Sequence, residues 1–535
     1  MFTSPIRFCD LPSRRPYRWV VILTVFLVIG SAATVAGGRA ETAAEVFPIE
    51  KIEPGMKGYG LTSFDRDGLS EFEVEVLGTL RSWAPRGVVV LVRMSAPQLE
   101  QTGVIAGMSG SPVYIDGKLL GAVAYGFPFC KVPLAGITPA SEMMVARDID
   151  LDSGRRRRTG RGKRDVRRRL LQDAQSAFSE ARAPNFSEQA LTEKWVKNLL
   201  APLRSGSPAR WAEAGDLSGD LPQEPPGGVA GLKPLPVPLC MGGIGKDNFR
   251  KLAPLMADSN FLAVRTTTAT RAGGKEAVEL KPGMPVGAVW MRGDLQLASM
   301  GTLTMATDER VLAFGHPMLG IGRINMPLAL GRVEAIVPSQ YRSFRLASLG
   351  PVVGRWTQDR QVGIVGRLGE TAPMFPCTVR VRGSRDQTFE YELAGYWRLA
   401  PLLAFQATAI SALRWEGEGE EMTVRATSRL QLEGREEPIM LENLYASFSP
   451  MRPAVELVGM PLQALMLNPF REVEVESIEV DLEIRDGREA VRIESMAADR
   501  RAVSPGQTLE LDVALRELRG KRHNRTISVR IPRDV

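Results

Sequence analysis

Residues 107–112, Gly107-Met108-Ser109-Gly110-Ser111-Pro112, decide how this chain is read. A serine flanked by glycines, with a proline three residues on, has the composition of a sharp loop. Small neighbours let backbone N–H groups turn toward one point, where they can bind a developing oxyanion. Val113-Tyr114-Ile115 then leads into an Asp116-Gly117 turn, and an apolar run from Leu119 to Tyr125 returns, which predicts a β-hairpin. Ser109 is therefore a candidate nucleophile. Gly107, Met108 and Ser109 are the candidate oxyanion-binding N–H groups. Tyr125, Gly126 and Phe127, at the end of the returning strand, are the candidate substrate-binding wall.

Outward from this loop the chain reads mostly as β-structure. Its 535 residues suffice for several cored domains, and 52 Gly and 37 Pro separate many short apolar runs. Phe72, Val74 and Val76 alternate with Glu71, Glu73 and Glu75, the pattern of a half-buried strand, and Val88–Val92 reads as a central one. Pro54-Gly55-Met56 before Gly78-Thr79-Leu80 is echoed by Pro282-Gly283-Met284 before Gly301-Thr302-Leu303. Either two related barrels or a chance likeness of Gly-rich strands explains the echo. Strands are expected to continue through 386–468. Alternation at Ile478–Ile484, Leu509–Leu515 and Ile527–Ile531 predicts an immunoglobulin-like sandwich over 469–535, a module that would bind an envelope partner.

The N-terminus is a targeting segment. Arg7, Arg14, Arg15 and Arg18 precede an uncharged run from Trp19 to Gly38, and Gly38-Arg39-Ala40 offers a cleavage site. Residues 1–40 thus form either a signal peptide or a membrane anchor. Both readings place the rest outside the cytoplasm: periplasmic, in the cell envelope, or secreted. The net charge of +7 is local: without residues 1–40 it is +3, and without 155–169, with ten Lys/Arg and one Asp, it is −6. Such a balance argues against a nucleic-acid partner. The basic run, a helical stretch with Leu191, Trp195 and Leu199, and a Pro/Gly-rich tail form an insertion over 150–236. Cys130, Cys240 and Cys377 show no metal-type spacing, no metal or cofactor is expected, and buried free thiols are favoured over one bridge.

A serine nucleophile needs a base, and only His316 and His523 are available. His523 lies in a charged segment and reads as a surface residue. His316 follows the apolar strand Val311–Phe314 between Gly315 and Pro317, a setting that fixes the backbone and aims the imidazole off a sheet edge. Residues 103–123 resemble the SpoIVB-type peptidase family of exported serine endopeptidases, and Gly301 to His316 is similar to that family's histidine region. The resemblance implies Ser109 as nucleophile, His316 as general base, and a trypsin-like double β-barrel with the site between its halves. The halves would be 44–149, bearing the serine, and 237–385, bearing the histidine. Two departures stand out. The family's histidine region precedes its serine region, whereas here the order is swapped. Val92–Pro97, where the family carries its aspartate, has no carboxylate. Asp359 is the substitute expected on the histidine side, with Asp308 reading as a turn residue. The expected activity is an envelope serine endopeptidase with a protein or peptide substrate. The alternative is a catalytically inactive peptidase-like scaffold. A lipase-like esterase is disfavoured because no strand–nucleophile–helix elbow is evident.

Overall fold

Alternating apolar residues build the first barrel. In the computed structural model the strands β1 (Lys57–Thr62), β2 (Ser70–Arg81), β3 (Val88–Ser95), β4 (Pro112–Ile115), β5 (Lys118–Gly126) and β6 (Leu134–Pro139) carry it. Helix α1 (Pro97–Thr102) follows β3, and α2 (Ala140–Asp148) follows β6. The structure describes residues 45–149 and 231–534, apart from 67, 82–86, 257–259, 267–278, 341, 416–420, 448–450, 469 and 518–519. The targeting segment and the insertion as far as residue 230 lie outside the described residues. The six strands pair antiparallel in the order β1-β2-β3-β6-β5-β4, and β4 pairs back onto β1, so the sheet closes without free edges. Phe72, Val74 and Val76 point inward as their alternation predicts, and meet Val90, Val92, Ile105 and Met108 in one core. Three expected insertion residues already belong here: Lys233 and Pro234, which form β7 (Lys233–Pro234) and pair with β5, and Leu235, which is buried in this core.

The second barrel repeats the first. After β8 (Val237–Gly242) and β9 (Phe261–Thr266) come β10 (Pro285–Gly293), β11 (Gln296–Ala306), β12 (Arg310–Ala313), β13 (Gly322–Val337), β14 (Phe344–Arg360) and β15 (Gly363–Leu368). They pair antiparallel as β10-β11-β12-β15-β14-β13, closing onto β10. Position for position, this is the strand order of the first barrel. The Pro-Gly-Met echo is structural. Gly55 (φ +89°) and Gly283 (φ +94°) each turn the chain into the first strand of a barrel. Gly55 N–H donates to Val76 O and Val76 N–H to Met56 O; Gly283 N–H donates to Leu303 O and Leu303 N–H to Met284 O. The Gly-Thr-Leu half of the echo is not in register, because the partner of the turn is Val76 in one barrel and Leu303 in the other. Mainly β architecture with barrel closure is thus the fold, as expected.

Beyond the barrels the expectations need correction. The sheet runs on from β10 through β17 (Gln387–Ala394), β16 (Met374–Arg382), β20 (Val475–Asp486), β18 (Met422–Leu432) and β19 (Ile439–Ser447). Helix α3 (Ala400–Ala412) lies within the stretch expected to be strands, and all 13 of its residues are buried. An apolar run with no polar face shows no period that would separate helix from strand. Among the described residues of 469–535 the strands do not form an immunoglobulin-like sandwich. β20 joins the large sheet, parallel to β16 and antiparallel to β18. Only β21 (Val491–Ala498), β22 (Thr508–Glu517) and β23 (Arg522–Arg530) form a separate sheet, and a sandwich needs a second one facing it. The same alternation serves a strand in either setting. Cys130, Cys240 and Cys377 are free thiols, and burial pushes Cys240 and Cys377 up to about 12. Among the described residues, no helix is long and apolar enough to cross a membrane.

The barrels meet where the chain leaves no room for a side chain. A Cβ on Gly110 (φ +99°) would stand 1.9 Å from Thr302 O and 2.5 Å from Phe314 N, both in the second barrel. Gly110→Ala is expected to cost about 3 kcal/mol or more, combining backbone strain with a clash against fixed backbone. Gly117→Ala, in the Asp116-Gly117 turn with nothing within 4 Å of the added carbon, should cost about 1 kcal/mol. Urea unfolding midpoints of the two variants against wild type test the difference.

Candidate active site

Ser109 and His316 occupy the same topological position in their respective barrels. Ser109 lies on the connection between the third and fourth strands of the first barrel, β3 and β4. His316 lies on the equivalent connection of the second, between β12 and β13. Each loop is anchored into its own core, the serine loop by Ile105 and Met108, the histidine loop by Phe314, Met318 and Leu319. Phe314 and Gly315 are both left-handed (φ +69° and +65°). For a phenylalanine this is strained backbone, of about 1–3 kcal/mol, which surrounding packing must hold. Its ring packs edge-on to Trp356 at 6.2 Å, over Gly301, where a Cβ would strike the ring at 2.7 Å.

The two loops are tied to each other through Thr302. Its N–H donates to Ser109 O at 2.8 Å, its hydroxyl to Gly107 O at 2.8 Å, and its carbonyl accepts Phe314 N–H at 3.2 Å. Thr304 Oγ1 donates to Gly110 O, and in the other direction Thr138 Oγ1 of the first barrel donates to Gly315 O at 2.6 Å. Both candidate residues are fully buried, and among the described residues Ser109 Oγ and His316 Nε2 have no hydrogen-bond partner. Ser111, the other serine of the loop, is engaged: its Oγ is 2.8 Å from Thr62 Oγ1.

The imidazole is held in one tautomer. Nδ1 lies 2.8 Å from Pro317 O, and a carbonyl can only accept, so Nδ1 carries the proton and Nε2 presents its lone pair. Burial depresses the His316 pKa to about 4, against the opposing effect of the Pro317 bond. Asp359 is also fully buried, but its carboxylate does not touch the ring. It accepts N–H bonds from Met318 (2.9 Å), Leu319 (2.6 Å) and Gly320 (2.8 Å), fastening the loop that follows His316. Burial raises its pKa to about 6 despite those bonds. Pro317 O therefore stands where a triad carboxylate would, a backbone partner that no side-chain motif reveals.

Peptide by peptide, the serine loop leaves two amides open. Met108 N–H donates to Ile105 O and Gly110 N–H to Val123 O, while Gly107 and Ser109 N–H meet no backbone acceptor among the described residues. The serine's own amide and that of the residue two before it are the pair that trypsin-like proteases use for the oxyanion. Of the three expected donors, Met108 is thus occupied. Tyr125, Gly126 and Phe127 lie at the far end of β5, where Tyr125 and Gly126 pair with β7. The residues beside the site are Ala122–Ala124: Val123 exchanges bonds with Gly110 and Ser111, and Ala122 and Ala124 pack against Gly315. His523 stands on exposed β23, 2.6 Å from Glu517, and Asp308 lies in the β11–β12 turn, both away from this site. Arg345, which the sequence reading did not single out, touches the serine loop directly, with Nη1 3.0 Å from Gly107 O.

Comparison with known proteins agrees with the loop. Residues 26–145 match the SpoIVB peptidase S55 family. The matched segment takes in the first barrel with Ser109 and ends before the second barrel, so His316 and Asp359 lie outside it. No curated protein and no solved structure matches the chain. The family match points to a peptidase of the serine type.

Two buried groups of opposite habit make stability depend on pH. Unfolded His316 takes its proton near pH 6.5 and folded His316 near 4, so stability falls as pH drops from 6.5 to 4, by about 3 kcal/mol. Asp359 acts oppositely: its raised folded pKa contributes stability that is full below 3.8 and is lost as pH rises through about 6. His316→Asn should therefore gain on wild type by about 3 kcal/mol between pH 6.5 and 4, whatever its absolute stability. Urea midpoints at half-unit pH steps check this, with Asp359→Asn as the variant that removes the opposing effect.

Proposed function

We propose that the protein is an exported serine endopeptidase of the cell envelope, acting on protein or peptide substrates through a Ser109–His316 pair. One observation carries this reading. The serine and the histidine stand on equivalent loops of two like barrels, both tied to Thr302. Among the described residues neither reactive atom is hydrogen-bonded, to the other or elsewhere, so the pair must close to hydrogen-bond distance for proton transfer. Ser109 Oγ attacks the peptide carbonyl as its proton passes to His316 Nε2. The Nδ1–H bond to Pro317 O then supports the imidazolium. Gly107 and Ser109 N–H receive the oxyanion, and His316 returns the proton to the leaving amine. Water then gives a proton to His316 Nε2 as its oxygen attacks the acyl carbonyl, and the ester C–O bond breaks as that proton returns to Ser109 Oγ, releasing the acid. Asp359 serves as a positioning residue for the histidine loop. The basic and apolar N-terminal segment supports the export part of this reading.

Both reactive groups are fully buried, so substrate enters only after the groups covering them move aside with the Thr302 seam intact, and water admitted then restores basicity to His316. The same burial favours a second reading, in which the pair packs permanently inside a silent scaffold. Purified full-length protein decides between them. Under the enzyme reading, wild type cleaves casein or fluorogenic peptides and a fluorophosphonate labels Ser109, while Ser109→Ala loses on the order of a millionfold in rate. Equal cleavage by Ser109→Ala overturns the assignment. No cleavage and no labelling by wild type establishes the scaffold.

A further inference from the structure

Arg345 is a fully buried guanidinium with no carboxylate paired to it among the described residues. Nη1 donates to Gly107 O and to Thr302 Oγ1, each at 3.0 Å, Nη2 donates to Thr62 Oγ1, and Nε has no partner. A buried charge without a counter-ion is costly, so its retention calls for a reason. The bonding of the loop supplies one.

In a trans peptide the C=O and N–H point in opposite directions, so fixing a carbonyl fixes the amide behind it. Ala106 O accepts Arg345 N–H at 3.1 Å, which turns the Gly107 amide away from β14. Gly107 O accepts the Arg345 side chain and Thr302 Oγ1, which locks the peptide separating the two open amides. Ser343, two residues earlier, grips the same loop by accepting Ala106 N–H and donating its hydroxyl to Thr102 O. The geometry points to Arg345 as a positioning residue that sets the Gly107 and Ser109 amides for the oxyanion from behind, without touching substrate. The oxyanion formed there is also the negative charge that this buried cation lacks. The inference rests on the serine-peptidase reading for its catalytic part, whereas the positioning part stands on the loop alone.

Two measurements on the full chain separate these parts. Hydrogen exchange of peptides spanning 104–112 reads the loop itself. Arg345→Met should raise exchange there at least tenfold while β2 and β3 stay protected, and unchanged exchange overturns the positioning role. Fluorophosphonate labelling of Ser109 reads the consequence. Arg345→Met should lower the maximal labelling rate about 100-fold, the scale of losing one oxyanion donor, with the half-saturating probe concentration unchanged. Arg345→Lys, which keeps the charge and an N–H donor group, should recover to within about tenfold of wild type, a rescue that a purely packing role would not give. Labelling of Arg345→Met at the wild-type rate overturns the catalytic part. If Ser109 of wild type is never labelled, the peptidase reading fails, and hydrogen exchange still decides the positioning. Should Arg345→Met not fold, Arg345→Ala, which also removes the guanidinium from Gly107 O, takes its place with the same expected and overturning results.

Discussion

The serine loop has no sheet of its own, and its backbone must be satisfied by someone else's strands. From Ala106 to Gly110 every carbonyl is hydrogen-bonded, and all but that of Met108 are served from the second barrel, by Arg345, Thr302 and Thr304. Buried backbone groups rarely go unpaired, so this seam is a condition for the loop's shape rather than an accessory to it. The Gly107 and Ser109 amides stay open because the groups around them are spoken for. Neither barrel could form such a site alone, and the threonines suit the task. β-Branching fits them to strands, and each carries a short hydroxyl that reaches across the seam.

Burial sets the chemistry on the histidine side. A buried carboxylate is costly unless hydrogen bonds satisfy it, and that of Asp359, fully buried, is satisfied by backbone amides rather than by the imidazole. Here the ring is oriented by a neutral carbonyl, that of Pro317, and the carboxylate of Asp359 is spent on three backbone amides of the following loop. The arrangement keeps His316 neutral, with its lone pair at Nε2, and places the nearby negative charge where amide dipoles already stabilise it. The strained Phe314-Gly315 turn is held by the same packing, between Trp356 on one side and Ala122 and Ala124 on the other.

Much of this was legible in the residues. The Asp116-Gly117 hairpin, the alternating strand at Phe72–Val76, the serine loop and the unique setting of His316 could be read because turn chemistry and period-two burial are local properties. The Pro-Gly-Met turns could be matched between halves because a left-handed glycine and its two backbone bonds recur with the barrel. The Gly-Thr-Leu match was a likeness of composition, and the register showed it to be four residues out of step. Asp359 could be found as a carboxylate on the right side, but not as the clamp of residues 318–320. Arg345 carried no signal, since one arginine in a long strand resembles any other until its burial is seen.

What the sequence determined by itself is therefore local: which segments turn, which alternate, and which two side chains have the chemistry for nucleophile and base. Tertiary structure decided the rest. It placed β20 in the large sheet rather than in a terminal sandwich, because an alternating strand satisfies either sheet until its neighbours are known. It chose Pro317 O as the partner of the imidazole and left two of the loop's amides open. Backbone atoms are the same at every residue, so which of them meet across a seam is fixed by the closing of two barrels and by nothing in the spelling of either.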